Sequence, residues 1–197
     1  IFDSTTWQTP QTIRVTGIDD YQIDGNQQFE VVIGAAAAFQ NADPNYTTSE
    51  RIVRFISLDS TEAGFIVYAL DEQTDEAGGD AQVTIQLKSK PKADVIISAS
   101  STDTTKAVIT QGSFLTFTTS NWFQPQTIKL IGLADGSTAN DQDYSLKFSN
   151  SSSDDSNYDG LKIKSVTLKH LNLNWTWDQY PWNNRILWLG SISNDLR

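Results

Sequence analysis

Polar and apolar residues alternate with period two along most of this chain. Gln11–Thr16 (Gln-Thr-Ile-Arg-Val-Thr) places Ile13 and Val15 on one face. Gln82–Leu87 and Ser165–Lys169 follow the same rule, and Phe29–Ile33, Val95–Ser98 and Ser113–Thr118 read as further strands. Period-two alternation sends successive side chains to opposite faces of a sheet, so each segment predicts a strand with one face toward a core. Clusters of Asp, Asn, Gly, Ser and Thr separate them, and these residues close turns by side-chain hydrogen bonds and by tolerating positive φ. The run Ser149–Asp155 predicts a surface loop, and Gly34–Phe39 a strand end or loop. Short strands with turns about every eight to twelve residues predict a β-sandwich.

The alternation is organised by an internal repeat. Trp7-Gln8-Thr9-Pro10-Gln11-Thr12-Ile13-Arg14-Val15-Thr16-Gly17-Ile18 returns 115 residues on (7 to 122, 17 to 132) as Trp122-Phe123-Gln124-Pro125-Gln126-Thr127-Ile128-Lys129-Leu130-Ile131-Gly132-Leu133. Asp20 matches Asp135 and Phe29 matches Tyr144 at the same offset, and Asp43–Tyr46 matches Asp155–Tyr158 after a loop-length change. A fixed-period repeat means copies of one module. By this offset Ile1 falls opposite Thr116, in the middle of a strand. The expected organisation is the back half of a module over residues 1–60, a complete module over 61–172, and a tail over 173–197. Half a sandwich leaves an apolar face and open strand edges, which something outside that half must cover.

The tail has no counterpart in the first copy. It holds Trp175, Trp177, Trp182 and Trp188, four of the 6 tryptophans, so it needs a separate reading. Burial of the rings against a core or sheet edge is one. The other is an aromatic platform of Trp175, Trp177, Tyr180 and Trp182 that stacks on sugar rings of surface glycans.

Composition narrows the partners. Asp+Glu total 24 against 14 Lys+Arg, and the pI is about 4.4. Such a surface repels phosphate, which argues against nucleic acid. With no cysteine, thiol chemistry is excluded, and with one histidine zinc is not expected. No apolar run reaches the roughly 18 residues of a membrane helix, so direct membrane insertion is not expected. His170 lies in an alternating strand and reads as a surface or edge residue. No Ser/His/Asp arrangement surrounds it, and Gly78-Gly79 precedes a strand rather than a phosphate-binding helix. Turnover chemistry is not indicated.

Two acidic segments carry a family resemblance. Thr74-Asp75-Glu76-Ala77-Gly78-Gly79-Asp80-Ala81, leading into a strand, resembles the opening of Calx-β-like repeats. So does Gly17-Ile18-Asp19-Asp20-Tyr21-Gln22-Ile23-Asp24-Gly25-Asn26-Gln27-Gln28-Phe29, an acidic doublet, a further acid, then an aromatic strand. Leu115–Gly132 is similar to bacterial extracellular relatives that carry such modules in tandem. The resemblance spans residues 1 to 172 and implies immunoglobulin-like antiparallel β-sandwich modules in tandem, the first incomplete. It also implies calcium at one end of a module, held by an early Glu, the acidic doublet and acids near the module's end. Calcium takes six to eight oxygens, which clustered turn carboxylates can supply. Carried over, the set is Asp19, Asp20, Asp24 and Asp59 in the first copy and Glu76, Asp103, Asp135 and Asp141 in the second. The second copy departs from the pattern: its doublet reads Ala134-Asp135, Ala139 replaces Asp24, and Asn172 stands where an acid is expected. Solvated turn aspartates that hold loops without metal are the alternative reading.

The function expected is structural or adhesive, in an extracellular or cell-surface bacterial protein. A spacer, a surface-layer part or a filament subunit fits this description. Its partners would be other copies of itself or neighbouring modules, joined by strand pairing. A sugar-binding module and an accessory domain of a secreted enzyme are the competing classes.

Overall fold

A computed structural model of the chain describes residues 2–35, 45, 49–136 and 140–173. Twelve strands lie among them: β1 (Gln27–Ile33), β2 (Arg51–Ser57), β3 (Phe65–Asp71), β4 (Gln73–Asp75), β5 (Asp80–Leu87), β6 (Val95–Ser101), β7 (Ala107–Gln111), β8 (Phe114–Phe117), β9 (Gln126–Gly132), β10 (Gln142–Phe148), β11 (Ser152–Ser153) and β12 (Val166–Leu171). The chain is all-β, as the alternation predicts. One sheet has the order β3-β5-β9-β7; a second runs β11-β6-β10-β12-β4, with β8 also paired to β6. Pairing is antiparallel except between β12 and β4, which is parallel. These two layers form an immunoglobulin-like β-sandwich. β1 and β2 form a separate two-stranded sheet.

The sandwich core follows from the sequence pattern. Ala81, Val83, Ile85 and Leu87 of β5 are buried, while Gln82, Thr84 and Gln86 between them are not. Ile128 and Leu130 of β9 join them from the same sheet. Val95 and Ile97 of β6, Leu146 of β10, Leu168 of β12 and Phe117 of β8 come from the facing layer. Removing each large aliphatic side chain from water contributes about 1.5–3 kcal/mol. Tyr158 closes one end of the core; its hydroxyl donates to the Ser89 carbonyl at 2.8 Å and accepts from the Ser89 amide at 3.1 Å.

The β1–β2 pair is the first copy's version of β10–β12. Phe29 opposes Phe55 in one pair, and Tyr144 opposes Leu168 in the other. Phe29 aligns with Tyr144 in the repeat, so Phe55 stands where Leu168 stands and Asp59 stands where Asn172 does. The surroundings differ. β10–β12 is flanked by β6 on one edge and β4 on the other, whereas among the described residues β1 and β2 pair only with each other. Tyr144 and Leu168 are 4% and 1% exposed; Phe29 and Phe55 are 37% and 39% exposed, stacked on each other at 5.4 Å.

The same contrast corrects one sequence expectation. Gln11–Thr16 forms no ladder, although its counterpart Gln126–Gly132 is β9. β9 is a central strand held between β5 and β7, and among the described residues no strand is paired with Gln11–Thr16. Without neighbours the backbone groups bond to water instead. Ile13 is therefore 64% exposed where Ile128 is fully buried.

Local structure, by contrast, is repeated faithfully. The Trp7 amide donates to the Asp3 carbonyl and the Thr9 amide to Thr6; the Trp122 amide donates to Thr118 and the Gln124 amide to Asn121. Asp3 Oδ1 accepts from the Thr5 and Thr6 amides, both at 2.8 Å. Bonds from the hydroxyl and amide of Thr5, with those of Thr6, lower the Asp3 carboxyl to about 2.

Gly34 and Ala35 lie outside any strand, and Ala36–Phe39 lie outside the described residues. Ser149–Asp155 is a loop apart from the short strand β11.

Equivalent substitutions in the two copies should separate. Ile128→Ala is expected to cost about 2–5 kcal/mol of sandwich stability, and Ile13→Ala under about 0.5 kcal/mol, in urea unfolding. Equal losses would contradict the difference in burial. Gly132→Ala drives its new methyl into the Asp75 backbone, whereas the position at Gly17 is open except for Ser57 Oγ at 3.9 Å. Only the first of these should fail to give a stable sandwich.

Candidate functional site

Four predicted acids of the first copy come together. Asp19, Asp20, Asp24 and Asp59 line one cleft with Gln22 and Gln27, where the chain enters β1 and leaves β2. Antiparallel pairing of Gln27 with Ser57 brings these two segments side by side. Asp59 organises the cleft. Its Oδ2 accepts the amides of Asp24 at 3.1 Å and Gly25 at 2.8 Å, and its Oδ1 accepts that of Thr61 at 2.8 Å. Asn26 Oδ1 in turn accepts the Asp59 amide at 2.9 Å. Hydrogen bonds to the charged form favour ionisation, and the Thr61 amide, then that of Gly25, hold the Asp59 carboxyl below its ordinary range. Asp19 Oδ1 accepts the Tyr21 amide at 2.8 Å, and Asp20 Oδ1 the Gln22 amide at 3.0 Å.

The second copy's acids sit at the corresponding end of the sandwich, beyond β9 and β12. Glu76 Oε2 accepts the Leu173 amide at 2.9 Å, and Asp141 Oδ1 the Asn172 amide at 3.1 Å. Together they fix the chain as it leaves β12. Asp103 lies in the turn between β6 and β7. The Lys106 ammonium, 2.6 Å from its Oδ2, and the Thr105 hydroxyl hold its carboxyl well below the usual range. Asp135 lies in the segment after β9. Among the described residues no three acidic or histidine side chains converge as a metal ion requires. A hard cation in the first-copy cleft would need further oxygens beyond these carboxylates.

His170 is buried, not at the surface. Its exposure is 2%, and it lies between Gln142 of β10 and Thr74 of β4. Thr74 Oγ1 lies 3.1 Å from His170 Nδ1 and 3.1 Å from the Tyr144 hydroxyl, so one buried threonine joins β4, β10 and β12. His170 Nε2 is buried without a hydrogen-bond partner. Burial raises the Tyr144 hydroxyl pKa, opposed by the bond from Thr74. Alternation marks His170 and Leu168 as sharing a face; it does not say that a polar residue there turns inward.

The aromatic set Trp175, Trp177, Tyr180 and Trp182 lies outside the described residues.

No family model matches the chain, and no curated protein does. Solved structures match over about half of it. The apo form of the Calx CBD1 domain is 15% identical, with a TM-score of 0.37, covering 55% of this chain and 96% of that one. WR4, a C. elegans MSP family member, is 7% identical, with a TM-score of 0.35, covering 54% and 96%. The periplasmic chaperone SfaE is 13% identical, with a TM-score of 0.34, covering 55% and 56%. These are distant likenesses of fold.

Two outcomes follow from this geometry. A depressed folded-state pKa means that Asp59 stabilises its turn above the ordinary Asp value, and that this stability is lost as pH falls through the folded value. The Gly25 and Thr61 amides should stay hydrogen-bonded as pH falls through the ordinary Asp value of about 4 and loosen only below it, as read from their NMR shifts on acid titration. Loosening at higher pH would contradict the three-amide clamp. Thr74→Val should destabilise the sandwich by about 1–3 kcal/mol, because it strips a partner from two buried polar groups. A neutral result in thermal unfolding would remove Thr74 as their link.

Proposed function

We propose that this chain is a structural module of an extracellular or cell-surface assembly, in which strands from another copy or a neighbouring module complete residues 1–60. The observation that supports this reading is one sequence in two states. Ile13 and Val15 are exposed where their counterparts Ile128 and Leu130 are fully buried. An isolated two-stranded sheet is at best marginally stable in water. β1 and β2 also expose Val32, Ile33, Ile52, Val53 and Ile56. Strands laid along Gln11–Thr16 and along the open edges of β1 and β2 would supply what β5, β7, β6 and β4 supply in the second copy. Contacts of this heterologous kind propagate into a filament when they do not close. The part played is mechanical, with no catalytic step.

Calcium belongs to this proposal as a stiffener of the completed module. With the front half in place, calcium is expected to raise the melting temperature through binding to the folded state. Asp20→Ala should remove most of the rise. An identical melt with and without chelator rules the ion out.

Sedimentation over a range of concentrations tests the assembly. The chain should associate as concentration rises, and Ile13→Asp with Val15→Asp should suppress association while leaving the sandwich folded. A compact monomer at every concentration would sink the intermolecular reading.

A further inference from the structure

We infer that the turn Asp19–Gln22 is a built joint between the two copies, with Tyr21 as its lock and Trp122 as its seat. Tyr21 has φ of 59°, the one positive φ outside glycine among the described residues. For a bulky side chain this left-handed conformation is a true outlier. The repeat explains why the backbone turns there: the counterpart of Tyr21 is Gly136, with φ of 67°. The module calls for a left-handed residue at this station, and glycine adopts it without strain. A tyrosine there must gain elsewhere what it loses in conformation.

The gain is visible across the copies. The Tyr21 carbonyl accepts the Lys90 amide at 2.8 Å. The Tyr21 ring lies 5.7 Å from that of Trp122, inclined at 47°. Such aromatic pairs stabilise beyond their buried area. The seat is part of the sandwich: the Trp122 carbonyl accepts the Leu87 amide at the end of β5, and the Trp122 ring meets Phe123 edge-on at 5.6 Å. Asp19 and Asp20 have a defined task in this joint, since their carboxylates hold the Tyr21 and Gln22 amides. The second copy has Ala134 for Asp19 and Gly136 for Tyr21. The second copy keeps Asp135 where the first has Asp20 but has no ring at the Tyr21 station, so the lock belongs to the first copy alone. Trp7 occupies the seat position of the first copy and is 59% exposed.

Two roles for Tyr21 predict opposite signs. If Tyr21 serves only its own turn, Tyr21→Gly relieves strain and leaves exchange at the Lys90 amide unchanged or slower. If Tyr21 is the lock, losing the ring opens the joint. Hydrogen exchange on the 197-residue chain should then show the Lys90 amide exchanging about three- to tenfold faster in Tyr21→Gly. Protection across β9 should be unchanged, and Tyr21→Phe should keep the Lys90 amide protected. Unchanged or slower exchange at Lys90 overturns the proposal, as does a loss of protection in β9 as large as that at Lys90.

Discussion

A strand is stable only when its backbone has a neighbour and its apolar face has a cover. Everything else in this chain depends on where that condition is met. In the second copy β9 lies between β5 and β7, and Ile128 and Leu130 face a packed layer. In the first copy nearly the same residues follow nearly the same turn and form no ladder. The difference lies in the partners, not in the segment.

This separates local from non-local structure with unusual clarity. The turn before Trp7 and the turn before Trp122 make the same backbone hydrogen bonds, and Tyr21 shares its left-handed backbone with Gly136. These features close over a few residues and need nothing distant. The ladder through Gln11–Thr16 needs strands far away in sequence, and loop-closure entropy is offset only when such strands exist to pair.

The alternation and the repeat made the sandwich legible before any coordinates, down to the inward sets of β5 and β9. The family resemblance, not the alternation, grouped Asp19, Asp20, Asp24 and Asp59, which line a single cleft. Two things were not legible. The missing ladder at Gln11–Thr16 escaped notice because propensity describes a segment and not its neighbours. Burial of His170 was missed because the partner that makes it tolerable, Thr74, lies on a different strand reached by parallel pairing. The acidic doublet follows the turn-aspartate reading, since Asp19 and Asp20 direct their oxygens to amides that shape the Tyr21 turn. The signal available for that turn was the substitution of a tyrosine for a glycine at one station of the repeat.

The two copies thus stand differently among the described residues: one is a sandwich, and in the other β1 and β2 pair only with each other, next to a turn held to the sandwich through Lys90 and Trp122. The most direct measurement is residue-resolved amide exchange over residues 11–17 and 126–132 of the same chain, repeated as protein concentration rises. At low concentration 126–132 should be protected and 11–17 should exchange freely, with protection of 11–17 appearing only as chains associate. Protection of 11–17 matching that of 126–132 in a dilute monomer would contradict the account.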